Sequence, residues 1–398
     1  MPRILIEVSD TFFSGLKTGI QVVTDQLVSG LHEEKNVDLI ISSYGGKARI
    51  FQLNHTDYLY HRNSRRRIYL RKIYTTLTNY SFLKNFRLIL GPYKKYRNLS
   101  NNLKYRNKEI KIESIKEDSD TYLFLPDAFW NNGSNSLKIV QASRDKGIRV
   151  TIFVHDVLPI THPEFFTNRA VEIFTRYFSQ ITALSDTLIF SSNSVRNDFE
   201  NNFPKTSSKK VVVPLEVFPR FSTQNRPQNI PADLEFALAI GTLEPRKNYS
   251  LVLDAFSQVD SNLKLVIVGR LGWMSDEITA RLSLMEDKVF WLPDATDSQI
   301  AWLIANANFG ICASFAEGFG LPLREFLENG LPVVASDISI FREIDAKFRD
   351  SVVYFAPENL SDLSLALTKV STLKKFDRQP VNSSKNVDFI RKIASIFV

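Results

Sequence analysis

Short runs rich in β-branched and aromatic residues alternate along the chain with longer stretches in which apolar residues recur every three or four positions. Several of the runs show no polar alternation, which is typical of strands buried on both faces of a parallel sheet. We therefore predict parallel β–α units throughout. The predicted strands are Arg3–Val8, Val37–Ser42, Tyr122–Leu125, Arg149–Val154, Thr187–Ser191 and Lys210–Val213, then Glu235–Gly241, Lys264–Gly269, Lys288–Leu292, Asn308–Ala313, Pro332–Ser336 and Ser351–Phe355.

The series is interrupted once, at the segment Pro214–Pro231, which has four prolines and no periodicity and is typical of a linker. A chain of 398 residues also suits two domains better than one core. We predict an α/β protein with two doubly wound domains, residues 1–214 and 215–375, facing each other across a cleft. The tail, residues 376–398, has apolar residues at helical spacing (Val387, Ile390, Ile393 and Ile396) and is expected to close the structure as a helix.

Composition and charge narrow the function classes. Cys312 is the single cysteine and excludes an intramolecular disulfide, which fits a reducing compartment. No run of 18 apolar residues occurs, and the N-terminal apolar run is too short for a signal peptide, so we expect a cytoplasmic protein, at most peripheral on a membrane. The segment Arg62–Lys111 has fifteen Lys or Arg against one acid and thus a net charge of +14, which indicates an anionic partner.

The segment Phe315–Ser336, FAEGFGLPLREFLENGLPVVAS, sets two carboxylates around a glycine-rich turn. Gly318 and Gly320 let the backbone approach a ligand, and the free N–H groups of a following helix attract phosphate. Glu317 and Glu325 can accept hydrogen bonds from hydroxyls. A nucleotide sugar has both phosphate and hydroxyl groups; the alternative is a helix whose acidic first turn is stabilised by the helix dipole.

A second motif, Gly241–Asn248 (GTLEPRKN), follows a predicted strand and precedes a predicted helix. Arg246 can bind phosphate oxygens in a bidentate manner, and Lys247 adds a second positive charge. Taken alone, the motif is more typical of a solvated loop.

Together these two motifs resemble the retaining glycosyltransferases of family 4, which have the GT-B fold, and mannosyltransferases among them in particular. The segments Val266–Arg270, Trp291–Asp294 and Gly330–Asp337 fit the same pattern, and Phe153–Pro159 and Ser191–Arg196 extend it more weakly into the first half. The resemblance implies two Rossmann-like domains facing across a cleft, with a C-terminal helix that returns to the N-terminal domain.

The resemblance also implies residue roles. Four residues would be catalytic. Arg246 and Lys247 would bind the diphosphate, Glu317 would contact the donor sugar, and His155 would reach the sugar from the opposite domain. The other donor-binding positions are Gly241, Thr242, Gly269, Arg270, Leu292, Asp294, Gly318, Phe319, Gly320, Leu321 and Glu325, the last on the ribose. The acceptor-side loop contains Gly15, Lys17, Thr18 and Gly19.

Retention of configuration allows a covalent route through a carboxylate or a front-face route in which the leaving phosphate takes the acceptor proton. No carboxylate is clearly placed under the sugar, so the front-face route is favoured. The pair Asp118 and Asp120 precedes its strand instead of following it, which favours a solvated loop over a metal site. We expect no metal and no cofactor, because two cations already serve the phosphates.

The expected partners are a nucleotide sugar, GDP-mannose or a UDP-sugar, and a glycan or lipid-linked acceptor of surface polysaccharide biosynthesis. Basic residues beside an aromatic and apolar stripe predict contact with an anionic membrane through Arg65, Arg66, Arg67, Arg71 and Lys72. Two alternatives stay open: a nucleotide-sugar epimerase or phosphorylase on the same fold, and a basic nucleic-acid-binding protein. The last leaves Glu317, Glu325 and the glycine turn unexplained, so nucleic acid is the less favoured partner.

Overall fold

A computed structural model describes residues 2–14, 19–42, 50–53, 55–63, 109–110, 120–216, 224–258, 262–348, 351–373 and 383–398. Within these residues the chain forms two β-sheets flanked by helices. The residues predicted to contact a membrane lie outside the described residues: Arg65, Arg66, Arg67, Arg71 and Lys72. The loop residues Gly15, Lys17 and Thr18 lie outside them as well.

The first half contains an eight-stranded sheet in the order β4-β3-β2-β1-β5-β6-β7-β8. Its strands are β1 (Arg3–Glu7), β2 (Asn36–Ser42), β3 (Ile50–Leu53), β4 (Glu109–Ile110), β5 (Thr121–Leu125), β6 (Arg149–Val154), β7 (Thr187–Phe190) and β8 (Lys209–Val212). The helices of this half are α1 (Ser9–Ser14), α2 (Gly19–Glu34), α3 (His55–Asn63), α4 (Ser134–Asp145), α5 (Leu158–Thr161), α6 (Asn168–Thr182) and α7 (Asn193–Asn202).

The sheet is not wholly parallel, which corrects our prediction. Strand β3 pairs with β2 in antiparallel register, and β4 pairs with β3 in the same way. These two strands form one edge of the sheet. They have four and two residues, which is too short for a hydrophobic period to be recognised in the sequence.

The second half contains a six-stranded parallel sheet in the order β11-β10-β9-β12-β13-β14. Its strands are β9 (Phe236–Ile240), β10 (Lys264–Val268), β11 (Val289–Leu292), β12 (Phe309–Cys312), β13 (Val333–Ser336) and β14 (Val352–Phe355). Its helices are α8 (Tyr249–Gln258), α9 (Asp276–Ser283), α10 (Asp297–Asn306), α11 (Leu321–Glu328), α12 (Ser339–Asp345) and α13 (Leu360–Val370), and α14 (Ser383–Ala394) follows near the C-terminus.

The predicted strands of both halves are present, with ends that differ by at most one residue. The central residues of the inner strands are buried on both faces, so separate hydrophobic clusters cover the two sides of each sheet. This burial explains why the strands read as continuous apolar runs.

The C-terminal helix returns to the first half, as predicted. In α14, Ile390 occupies the space above Gly30 of α2 that a larger side chain would fill. Just beyond the helix, the Phe397 ring lies edge-on to Tyr122 and Phe124, with ring centroids 5.3 and 5.2 Å apart. Since Phe389 and Phe397 are almost fully buried there, the tail completes the core of the first half.

The two halves touch through an aromatic contact. The Trp273 indole Nε1–H donates to the Phe165 carbonyl at 2.6 Å, and its ring stacks on Phe166. Phe165 in turn stacks on Phe315, with ring centroids 5.1 Å apart. Aromatic residues of the first half therefore pack directly against the loop that leads to Glu317.

Polar contacts join α12 to the first half and α11 to the segment that links the halves. The Glu343 carboxylate accepts hydrogen bonds from the backbone N–H groups of Asn193 and Ser194, at 2.8 and 2.9 Å, where it meets the N-terminal end of α7. Arg324 of α11 pairs with Glu216 and donates to the Leu215 carbonyl. In the part of the chain that the structure describes, no helix has the length and apolar content to cross a bilayer.

Candidate active site

The GTLEPRKN motif forms the turn between β9 and α8. Gly269 of the neighbouring strand end lies so close to the Gly241 carbonyl that any side chain there would overlap it. The segment continues into a 3₁₀ turn at Pro245–Lys247 and ends at Asn248, which adopts the left-handed conformation that asparagine tolerates. This tight turn places Arg246 and Lys247 at the carboxyl edge of the second sheet.

Glu317 and the two cations form one ion-pair cluster. The Arg246 guanidinium lies 2.8 Å from Glu317 Oε2, and Lys247 Nζ lies 2.5 Å from Glu317 Oε1. Ser314 Oγ also donates to Glu317 Oε1, at 2.6 Å, and Arg246 has a second carboxylate partner, Glu244, at 2.6 Å. The structure thus brings together three of the predicted catalytic residues from loops about 70 positions apart.

The pKa values of the carboxyl groups in this cluster reflect two opposing effects, burial and ion pairing with the cations. Burial alone would raise the pKa of Glu317, but Arg246 and Lys247 outweigh it and lower the pKa from 4.5 to about 2. Burial raises the pKa of Glu244, with Arg246 acting in the opposite direction. Glu317 is therefore a firmly ionised partner of both cations.

A cavity of about 10 Å³ lies beside the Lys247–Glu317 pair. That volume holds about one water molecule. Its lining includes Tyr249, Cys312, Ser314, Pro322 and Phe341. Glu317 occupies both Arg246 and Lys247, so a diphosphate that binds these cations competes with its carboxylate.

The glycine-rich turn leads from Glu317 into α11. Gly320 takes the left-handed conformation at the start of the helix, and a Cβ there would lie 2.9 Å from the Phe341 ring. Glu325 follows in the second turn of α11 and is only 5% exposed. Phe319 and Leu321 pack against the core of the first half, so the turn faces the opposite domain.

The opposite face of the cleft carries His155 and Asp156, just after β6. A Cβ on Gly318 would lie 2.7 Å from the His155 carbonyl and 2.8 Å from Asp156 Cβ, so the two halves are in contact here. His155 Nε2 lies 2.6 Å from the Pro126 carbonyl and must carry the hydrogen. Burial lowers the pKa of His155 to about 4, so the ring is neutral near pH 7.

The loops predicted to flank a base also converge. Gly269 N–H donates to the Leu292 carbonyl at 3.1 Å, and Arg270 lies 3.9 Å from Asp294. Thr242 lies beside Gly272, on the same side of the sheet. On the predicted acceptor side, Gly19 begins α2 and approaches Leu321 of the glycine-rich turn. The described donor-side residues therefore lie at or after the carboxyl ends of β9, β10, β11 and β12, and His155 and Gly19 approach the glycine-rich turn from the first half.

Three buried carboxyl groups at the edge of the first sheet did not enter our prediction: Glu7, Asp10 and Asp127. The backbone N–H and the hydroxyl of Thr11 donate to Asp127, and Gln21 and Asn131 donate to Asp10, all within 3.0 Å. Burial raises the pKa of Glu7 to about 7, and burial with the nearby Asp10 and Glu7 charges raises that of Asp127 well above its usual value.

The signal for these acids was in the sequence. Glu7 ends β1 and Asp127 comes just after β5, the same position relative to a strand that singled out Glu317 in the second half. Asp156 lies in the segment Phe153–Pro159 and Glu244 in the GTLEPRKN motif, but the sequence pattern assigns no role to either. Among the described residues, no group of three or more His, Cys, Asp or Glu side chains could hold a metal ion.

Comparison with known proteins places this site in context. Residues 221–387 match the family model Glycosyl transferases group 1. The serotype-specific mannosyltransferase WbdA of Escherichia coli is 29% identical over 273 residues, which cover 63% of this chain and 33% of WbdA. The O-antigen chain mannosyltransferase B of Escherichia coli is 26% identical over 208 residues, 49% of this chain and 54% of that protein. The matches thus span about a third and about half of these two relatives.

Among solved structures, sucrose-phosphate synthase from Thermosynechococcus elongatus has a TM-score of 0.61 at 14% identity, over 100% of this chain and 98% of that chain. This likeness concerns the fold: two Rossmann-like domains in the GT-B arrangement, which confirms the predicted fold class. The group 1 match and the mannosyltransferase relatives support a glycosyltransferase.

Proposed function

We propose that this protein is a retaining glycosyltransferase that moves a hexose, mannose from GDP-mannose, to a glycan or lipid-linked acceptor in surface polysaccharide biosynthesis. One observation carries the proposal: Arg246, Lys247 and Glu317 meet at the carboxyl edge of the second sheet, opposite His155. Ligands of open α/β sheets bind at such an edge. The names of the two mannosyltransferase relatives favour mannose over other hexoses.

The two cations would bind the donor diphosphate and stabilise the charge that develops on it as the sugar leaves. Glu317 would then exchange its ion pairs for the sugar hydroxyls, because the diphosphate competes with its carboxylate for both cations. Glu325, buried one helical turn into α11, would accept hydrogen bonds from the ribose hydroxyls.

The reaction would follow the front-face route. The leaving phosphate takes the proton of the acceptor hydroxyl, so the protein supplies position and charge and no nucleophile. His155 fits a neutral contact to the sugar, since its pKa of about 4 leaves it uncharged at pH 7. Two cations on the phosphates make a divalent metal unnecessary in this scheme.

We further propose a cytoplasmic location at the inner face of a membrane, through the basic segment that contains Arg65, Arg66, Arg67, Arg71 and Lys72. The support is the sequence pattern, because these residues lie outside the described ones. Sedimentation with vesicles tests it: binding to anionic vesicles at low salt should vanish when all five become Gln. A protein that ignores anionic vesicles would point to an acceptor free in solution.

A thermal-shift screen with GDP, UDP and ADP sugars tests the donor. A ligand present at one hundred times its Kd stabilises the protein by about 2.7 kcal/mol, which raises Tm measurably. Stabilisation by GDP-mannose alone supports the proposal, and stabilisation by a UDP-sugar replaces mannose with that sugar. Stabilisation by none of them would remove the nucleotide-sugar site.

Product analysis then tests the reaction. Incubation of the selected donor with a polyprenyl-diphosphate glycan should yield an extended, α-linked product by NMR, and the yield should not change with EDTA. Arg246→Gln should lower the rate on the order of 10²–10³, whereas Arg281→Gln, in an ion pair with Asp254 on the outside of the second domain, should not. Donor conversion without an acceptor would instead indicate an epimerase, and release of sugar phosphate a phosphorylase.

A further inference from the structure

Glu244 is a buried carboxylate to which the sequence assigned no role. It is only 3% exposed, and its Oε1 accepts a hydrogen bond from Arg246 Nη2 at 2.6 Å. The backbone around it is fixed on both sides. Leu243 N–H donates to the Arg270 carbonyl at 2.8 Å, and Lys247 N–H donates to the Glu244 carbonyl at 3.0 Å. The backbone from which the carboxylate projects is therefore held in place, and Arg246 holds the carboxylate itself.

Three acceptors hold the Arg246 guanidinium. Glu244 binds one end, while the Ala316 carbonyl and Glu317 bind Nη1 at 2.6 and 2.8 Å. In the proposed function Glu317 moves from Arg246 to the sugar hydroxyls, because the diphosphate competes with its carboxylate for both cations. After that move, Glu244 is the remaining carboxylate on Arg246 among the described residues.

We propose that Glu244 is a positioning residue, which keeps the Arg246 guanidinium oriented toward the donor diphosphate after Glu317 has turned to the sugar. The inference rests on the proposed function, because it requires a nucleotide sugar in this cleft. Glu244 acts through Arg246 and does not touch the substrate.

The same carboxylate also competes with the donor. Glu244 and Glu317 together balance the charges of Arg246 and Lys247, so a diphosphate enters a cluster with no net positive charge. Glu244 should therefore weaken donor binding through its charge while it supports turnover through its hydrogen bond. These two effects have opposite signs and can be separated by two substitutions.

Glu244→Gln removes the charge and keeps the length of the side chain, since the amide oxygen can still accept a hydrogen bond from Arg246. We expect the affinity for GDP, measured by calorimetry, to rise about tenfold, with kcat within about threefold of the wild type. Glu244→Asp keeps the charge but shortens the side chain, so that its carboxylate lies farther from Arg246. We expect its kcat with GDP-mannose to fall on the order of 10², with GDP affinity within about threefold of the wild type.

The control is Glu277→Gln, an exposed glutamate of α9 that should change neither quantity. Thermal unfolding of each variant shows that it is folded. Weaker GDP binding by Glu244→Gln, or equal kcat values for the two Glu244 variants, would overturn the positioning role. If the screen selects a uridine donor, UDP and that donor replace the guanosine compounds.

The test also separates this inference from the function on which it rests. A wild type that neither binds GDP or UDP nor transfers any sugar removes the proposed function and the inference together. A wild type that transfers sugar, with Glu244 variants that both match it, removes the inference alone.

Discussion

Substitution of Glu317 by Gln tests the ion-pair cluster directly, even without a substrate. The pKa of Glu317 is lowered from 4.5 to about 2, against its own burial, by Arg246 and Lys247. A difference of this size corresponds to about 3 kcal/mol of folding free energy. Because the Glu317 side chain is only 9% exposed, solvent screens little of it. We expect Glu317→Gln to lower the free energy of unfolding by about that amount at pH 7.

The contribution of the Glu317 carboxylate to stability depends on pH in a defined direction. The folded-state pKa lies below that of the unfolded chain, so the stabilisation is complete above pH 4.5 and is lost as the pH falls toward 2. Guanidinium titrations followed by tryptophan fluorescence should therefore show a constant gap between wild type and variant from pH 8 to pH 5, and a narrowing gap at pH 4 and below.

A matched control is Asp337→Asn, which breaks the Asp337–Arg342 pair. That pair has two contacts of 2.8 Å but about half-exposed side chains, so its loss should lower the free energy of unfolding by about 1 kcal/mol or less. If the Glu317→Gln variant and the wild type unfold at the same concentration of guanidinium chloride at pH 7, then Glu317 does not form these ion pairs in solution. The reasoning on donor entry would then be wrong as well.

Three further predictions follow from the site. The His155 ring, with its pKa at about 4, should not titrate between pH 5 and 8 in NMR spectra; a midpoint near 6.5 would contradict its burial. Glu325→Gln should weaken donor affinity with little change in kcat at saturating donor, because a ribose contact is the same in ground and transition states; the reverse pattern would contradict the ribose assignment. Gly318→Ala should lower Tm, since its methyl would lie 2.7 Å from the His155 carbonyl and the backbone there would have to shift. Gly19→Ala, whose methyl would lie 3.5 Å from its nearest neighbour, is the control, and equal Tm values for both variants would contradict the close contact between Gly318 and His155.

The fold could be predicted because its strands are long enough and buried enough to leave a pattern. Strand β10 (KLVIV) is almost fully buried along its length, so it reads as an uninterrupted apolar run. The antiparallel edge could not be predicted, since Ile50–Leu53 and Glu109–Ile110 offer too few residues for a period. The spacing predicted α14 as a helix and the family resemblance implied its return to the first half, but its burial against α2 depends on Gly30, more than 350 positions earlier.

For the candidate site, the sequence pattern could predict where each residue lies relative to its own strand, but not which side chains contact each other. Arg246, Lys247 and Glu317 were selected because they follow strands β9 and β12, which are neighbours in the sheet. Their pairing could not be predicted, because it depends on side-chain distances that no spacing specifies. The same is true of Glu244, whose neighbours in sequence gave no indication that it is buried against Arg246.

The two faces of the cleft differ in charge once Glu317 has moved to the sugar, since Arg246 and Lys247 then carry more positive charge than Glu244 balances, and this gives a physical reason for the direction of binding. The edge of the first sheet carries Glu7, Asp10, Asp127 and Asp156, all carboxyl groups, and burial raises the pKa of each. Such a face disfavours an anionic diphosphate and suits hydroxyl groups, which carboxyl groups in either protonation state can bind. The cations Arg246 and Lys247 stand on the edge of the second sheet. A nucleotide sugar is therefore expected to place its diphosphate on the second domain and to present its sugar to the carboxyl-rich face of the first, where an acceptor hydroxyl would meet it.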